Sequence, residues 1–245
     1  MCEPTGESPV RRRVGRSSRS AAVLGNSIAN ITVHGIGTPK RQLDRGEDQT
    51  WVSTAQFEQM LDAVAGRSDA HLTFDDGNAS DVEIALPRLL ERGLTAEFFL
   101  LAGELGAPGR VDQAGVQELQ GAGMTIGSHG WSHRDWRRID DMQAREEMEV
   151  ALRTLTALTG SPVVRVAIPF GSYDRHVLRR LRNAGVSRVY TSDGGRARPD
   201  AWIQARTSLR HDMDAAWTAR VLDPDPSLIR QARDNTARAA KRWRG

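Results

Sequence analysis

A chain of 245 residues, 39% hydrophobic and 27% charged, has the balance of a soluble globular protein and room for one large domain or two small ones. Its 34 basic and 31 acidic side chains leave a net charge of +3, which excludes a general polyanion-binding character. The single cysteine, Cys2, excludes an internal disulfide and suits a reducing compartment.

Residues 1–29 read as a flexible basic tail or, in part, a mis-assigned start. Arg11-Arg12-Arg13 and Arg16 precede Ala21-Ala22-Val23-Leu24, but Gly25, Asn26 and Ser27 break that apolar run too early for an export segment. No stretch is apolar over enough residues to span a bilayer. A cytoplasmic protein without stable membrane insertion is expected, with export as the alternative.

From there, short apolar runs alternate with longer helical patterns. Strands are expected at 30–34, 70–74, 96–101, 124–128, 163–168, 188–191 and 203–206. Helices open at Ser53/Thr54, Ser80/Asp81, Asp112, Asp140 and Asp174, and close at Gly66, Gly93, Gly121, Gly160 and Gly185. Hydroxyl or acidic residues at the start and glycine at the end are what helix caps require. Met148, Leu152, Leu155 and Leu158 recur at helical spacing and read as a core stripe. The loop at 35–51, rich in charge, glycine and proline, is a candidate to face substrate. Residues 223–245 read as a basic helix packed on or extending from the domain; without aromatic interleaving they give no sign of a nucleic-acid partner. The alternation predicts an α/β fold with parallel strands and right-handed crossovers. Seven strands in one domain fit a closed barrel better than an open sheet.

Two motifs carry chemistry. Leu72-Thr73-Phe74 ends in Asp75-Asp76-Gly77, adjacent carboxylates whose mutual repulsion calls for a cation or a proton. Met124-Thr125-Ile126 leads into Ser128-His129-Gly130-Trp131-Ser132-His133, two imidazoles four residues apart. Imidazole with carboxylate suits zinc and other divalent transition metals. A carboxylate of the Asp75-Asp76 pair with His129 and His133 would supply three ligands and leave a position open, the pattern of a catalytic metal.

With Pro169-Phe170-Gly171-Ser172-Tyr173 and the strand end Val33-His34-Gly35-Ile36-Gly37, these motifs resemble those of the polysaccharide deacetylases, the NodB-homology or carbohydrate esterase family 4 enzymes, from about residue 31 to 206. The resemblance implies a distorted (β/α) barrel of seven strands, a catalytic domain at 30–222, and one divalent metal, most simply zinc, with cobalt, nickel or manganese as alternatives. It implies Asp76, His129 and His133 as ligands, Asp75 as general base and the Phe170 backbone N–H as oxyanion donor. His211, the one late histidine, stands for the family's general acid. His34, Pro169, Tyr173, Asp193 and Trp202 are expected at the substrate, Asp193 and Trp202 as loose matches to a fourth motif. Barrel active sites lie at the carboxyl ends of strands, and His34, Asp75, His129, Pro169 and Asp193 each follow an expected strand. The family's arginine two residues before the motif proline is replaced by Ala167, leaving Arg165 or Arg206 to hold Asp75. The implied reaction is hydrolysis of an acyl group, N-acetyl foremost, from a saccharide or sugar-containing small molecule. Two alternatives stand: hydrolysis of a small non-sugar amide, and a carbohydrate-binding homologue without turnover.

Overall fold

A computed structural model describes residues 27–223 and Lys241. Most of the expected N-terminal tail and C-terminal helix lie outside the described residues. In chain order, β1 (Ala29–Val33) is followed by a two-stranded ladder of β2 (Gly35–Ile36) and β3 (Trp51–Val52). Then come α1 (Thr54–Val64), β4 (Ala70–Asp75), a π-helical turn (Asp81–Ala85) running into α2 (Leu86–Glu91), and β5 (Ala96–Leu100). Next are α3 (Gln113–Gly121), β6 (Thr125–Ser128), and one long helix made of α4 (Asp141–Arg145), a π-helical turn (Glu146–Val150) and α5 (Ala151–Thr159). The described chain ends with β7 (Arg165–Ala167), α6 (Arg175–Asn183), β8 (Arg188–Thr191), β9 (Ile203–Ser208) and α7 (Ala215–Leu222).

Four of the five expected caps form, at Ser53, Asp112, Asp140 and Asp174; Ser80 makes no side-chain cap. Ser53 accepts from the Gln56 N–H in a capping box, Asp112 accepts from Gly115, and Asp174 accepts from His176 and Val177. α7 is a helix the sequence reading leaves out; Asp214 caps it by accepting from the Trp217 N–H.

The order β1-β4-β5-β6-β7-β8-β9 closes into a seven-stranded barrel, every neighbouring pair parallel and β9 returning to β1. The join of β6 to β7 is thinnest, one register pair (Ser128 with Val166) next to His129 in sequence.

Period-two alternation sorts each strand's side chains between two environments. Leu72 and Phe74 of β4 join the apolar core, where Phe74 stacks on Phe98 at 4.4 Å and meets the edge of Phe57 from α1 at 6.0 Å. The intervening positions fill a polar interior. Thr73, Asp75, Glu97, Tyr190, Gln204 and Arg206 are all buried and hydrogen-bonded. Burial without such partners would cost about 1–3 kcal/mol per group. No helix among the described residues is long and apolar enough to cross a membrane.

Candidate metal centre and its cavity

The polar interior opens at the carboxyl end of the strands into a cavity of about 340 Å³, lined among others by His34, Asp75, Asp76, His129, His133 and Phe170. Among the described residues only three non-glycine positions have positive φ: Asp76 at 75°, His133 at 58° and Phe170 at 57°. Such backbones cost on the order of 1–3 kcal/mol each and gather where function over-determines them. All three border this one cavity, on three different loops.

The loops explain the aim of the side chains. β4 ends with Asp75, and the left-handed turn at Asp76 and Gly77 brings the second carboxylate round to the mouth beside the first. Asn78 fixes that turn by donating to the His34 carbonyl at 2.8 Å. His129 follows β6, and its Nδ1 donates to the Ala167 carbonyl at 2.9 Å, which leaves Nε2 free to bind a metal. That nitrogen lies 3.4 Å from Asp76 Oδ1; His133 Nε2 lies 3.6 Å from the same oxygen.

Oδ1 of Asp76 is buried without a hydrogen-bond partner. The three ligand atoms fall within 4.8 Å of one another, the only such group of His, Cys, Asp and Glu among the described residues. An orphaned carboxylate oxygen facing two imidazole nitrogens fits a divalent transition metal. Burial would raise the Asp76 carboxyl, but His133, His129 and His34 outweigh it and hold it below the usual carboxylate range. Burial pushes the His133 imidazole down, toward the neutral form a ligand needs.

Asp75 faces the barrel interior, where Arg206 grips it with two parallel hydrogen bonds of 2.7 Å each. Of the two arginines open in the sequence, Arg206 is the one that reaches it; Arg165 is paired with Glu97. Ala167 is buried with Phe99 and Tyr190, and the Arg206 guanidinium lies 5.4 Å and 5.7 Å from those two rings. Burial alone would raise the Asp75 carboxyl; Arg206 and then His129 reverse this and hold it well below the carboxylate range. Nearby Asp81 shows the opposite outcome. Burial, then Asp76 and Asp75, push its carboxyl well above the ordinary value.

Phe170 lines the cavity with its ring 4.3 Å from that of His133. Pro169, the residue before Phe170, is buried. Tyr173 and Asp193 are bound to each other: the Tyr173 hydroxyl donates to Asp193 at 2.7 Å, and Thr191 and Lys241 donate to the same carboxylate. They brace the 169–173 turn rather than line the cavity. Two further expectations need correcting. Trp202 precedes β9 and so sits at the amino end of the barrel, its indole donating to the Val186 carbonyl, at the opposite end from the cavity. His211 is exposed and does not line the cavity; its Nδ1 and backbone N–H both meet the carbonyl of Gln49, which does. Arg110 was missed. It lines the cavity and donates to the Asp76 carbonyl at 3.1 Å, and its only sequence signal is its place in the loop after β5.

A sequence model described as polysaccharide deacetylase matches residues 63–189. The Bacillus subtilis (strain 168) protein YxkH, provisionally named a polysaccharide deacetylase, is 23% identical over 139 residues, 57% of this chain and 50% of YxkH. A chitin deacetylase from Pestalotiopsis is 30% identical over 114 residues, 46% of this chain and 38% of that protein. The matched stretch thus spans half or less of these curated relatives. Among solved structures, the Streptococcus pyogenes deacetylase PplD in complex with acetate is similar with a TM-score of 0.71 at 17% identity, over 81% of this chain and 99% of that one. IcaB from Ammonifex degensii gives a TM-score of 0.63 at 22% identity, over 79% and 97%. Both share the barrel.

Proposed function

Because this chain belongs to the polysaccharide deacetylase family, we propose that it is a metal-dependent hydrolase of carbon–nitrogen bonds other than peptide bonds, removing an N-acetyl group from a saccharide or sugar-containing small molecule. The observation that carries this reading is Asp76 Oδ1, buried, without a hydrogen bond, and 3.4 Å and 3.6 Å from two imidazole nitrogens. Asp76, His129 and His133 would hold the ion, zinc by preference. A divalent metal so held acidifies water and polarises an acyl carbonyl.

The chain's own residues supply the rest. Arg206 keeps Asp75 ionised, so its acceptor form is present throughout the working pH range. Asp75 takes the proton of the attacking water at one carboxylate oxygen. The Phe170 backbone N–H, turned by the left-handed conformation there, donates to the oxyanion as the carbonyl carbon becomes tetrahedral. On collapse the carbon–nitrogen bond breaks, and Asp75 returns its proton to the leaving amine, releasing acetate and a free amino sugar. Cavity walls at 44–50 and Arg110 surround the incoming substrate. A cytoplasmic site of action belongs to this reading, and cell fractionation tests it.

The test is acetate release from a panel of N-acetylated saccharides, a sugar nucleotide and a simple acetamide, with zinc and with chelator. We expect release from at least one sugar, abolished by chelation. Release from the acetamide alone would give the non-sugar reading, and no release from any would overturn both.

His211→Ala tests the proton donor. With its ring on the Gln49 carbonyl and exposed, it should leave amide and activated-ester hydrolysis within a few-fold of wild type. A loss of about 10²-fold in amide cleavage alone would make His211 the acid.

A further inference from the structure

The loop that carries His133 is held from behind by one carboxylate. Glu147 is completely buried. Its Oε2 accepts from the Trp131 backbone N–H at 2.9 Å and from the Trp136 indole N–H at 3.2 Å. Its Oε1 accepts from the backbone N–H and the hydroxyl of Ser132, both at 3.0 Å. All four donors belong to the stretch 131–136, which also carries His133. Arg134 adds a partial counter-charge, its Nε 3.9 Å from Oε1.

Two other observations point the same way. Gly130 has φ 96°, and a Cβ there would sit 2.3 Å from Glu147 Oε2, so the loop closes on the carboxylate more tightly than any side chain allows. Glu147 also lies in the π-helical turn Glu146–Val150 that interrupts an otherwise α-helical run. Such turns are rare and frequently mark functional sites.

We propose that Glu147 is the positioning residue of the metal centre. It gathers the loop's backbone so that His133, in its left-handed conformation, presents Nε2 to the point shared with His129 and Asp76. The inference rests on the metal reading above. Glu147 touches neither ligand atom nor substrate. It acts through loop geometry, as supporting groups around metal sites do, where their loss typically lowers affinity 10–100-fold.

Glu147→Gln supplies the test. The amide offers one oxygen and one NH₂, so in either orientation two of the four donors face another donor. Titrated with zinc or with cobalt alone, the folded variant should bind about 10–100-fold more weakly than wild type. The visible absorption of its cobalt form should change, reporting altered ligand geometry. A merely structural role would lower the melting temperature of the metal-free protein and leave affinity and spectrum as in wild type, and that result overturns the proposal. Should Glu147→Gln fail to fold, the double variant Ser132→Ala, Trp136→Phe removes two donors and keeps the acid. The same weakening is expected there, and unchanged affinity again overturns the proposal. If wild type binds no metal, the metal reading falls and takes this inference with it. If wild type binds and the variants bind equally well, this inference alone falls.

Discussion

Asp75→Asn is expected to keep its metal and its fold and to lose turnover by about 10²–10⁴-fold, the usual contribution of a positioned base. The substitution keeps the shape of the side chain and removes its capacity to accept and return a proton. Asp76, His129 and His133 are untouched, so metal content should stay near wild type. Arg206 then remains buried against half of its former partner, so the melting temperature should fall, and turnover is best measured well below it. Activity within a few-fold of wild type would reduce Asp75 to a support for the turn.

Arg206→Met should give the largest loss of stability. It leaves the Asp75 carboxylate buried with no cation to balance it, and breaking a buried pair from one side costs about 3–5 kcal/mol. For a chain of this size that is on the order of 10 °C in melting temperature. The pH dependence carries the signature. In the wild type the Asp75 carboxyl lies well below the carboxylate range. Its stabilisation is therefore fully present above the unfolded value near ~3.9 and is lost as pH falls through the folded one. In Arg206→Met, burial raises the carboxyl, and stability is lost as pH rises through that raised value. Thermal melts of the two metal-free proteins should thus be far apart at neutral pH and draw together on acidification. A constant gap at every pH would separate the loss from the Asp75–Arg206 pair.

The seven strands were legible because most are short apolar runs set off by helical patterns, and β4 to β9 lie within a residue or two of their expected limits. Asp75-Asp76 and His129-x-x-x-His133 were legible because adjacent acids and paired imidazoles are costly side chains to place at strand ends without a use for them. The site's strained backbone was not legible: nothing in the letters Asp76, His133 or Phe170 announces a left-handed conformation, which the surrounding loops impose. Arg206 could be named only as one of two candidates, since it meets Asp75 across 131 residues of chain and through barrel closure. Trp202 misled because a motif match in one dimension places it near Asp193, whereas the turn between β8 and β9 carries it to the far end of the barrel. α7 was passed over although Asp214 supplies the same cap signal used elsewhere. Glu147 was not legible because nothing in the sequence separates this buried acid from Glu146 and Glu149 on the same helix, neither of which is buried.

The most direct measurement is the metal content of the purified protein and of Asp76→Ala, His129→Ala and His133→Ala, by elemental analysis after equilibrium dialysis against zinc. About one ion per wild-type chain is expected from a three-ligand site, with loss of that ion in each variant. Undiminished metal in all three folded variants would contradict the site, and with it the reaction assigned to the cavity.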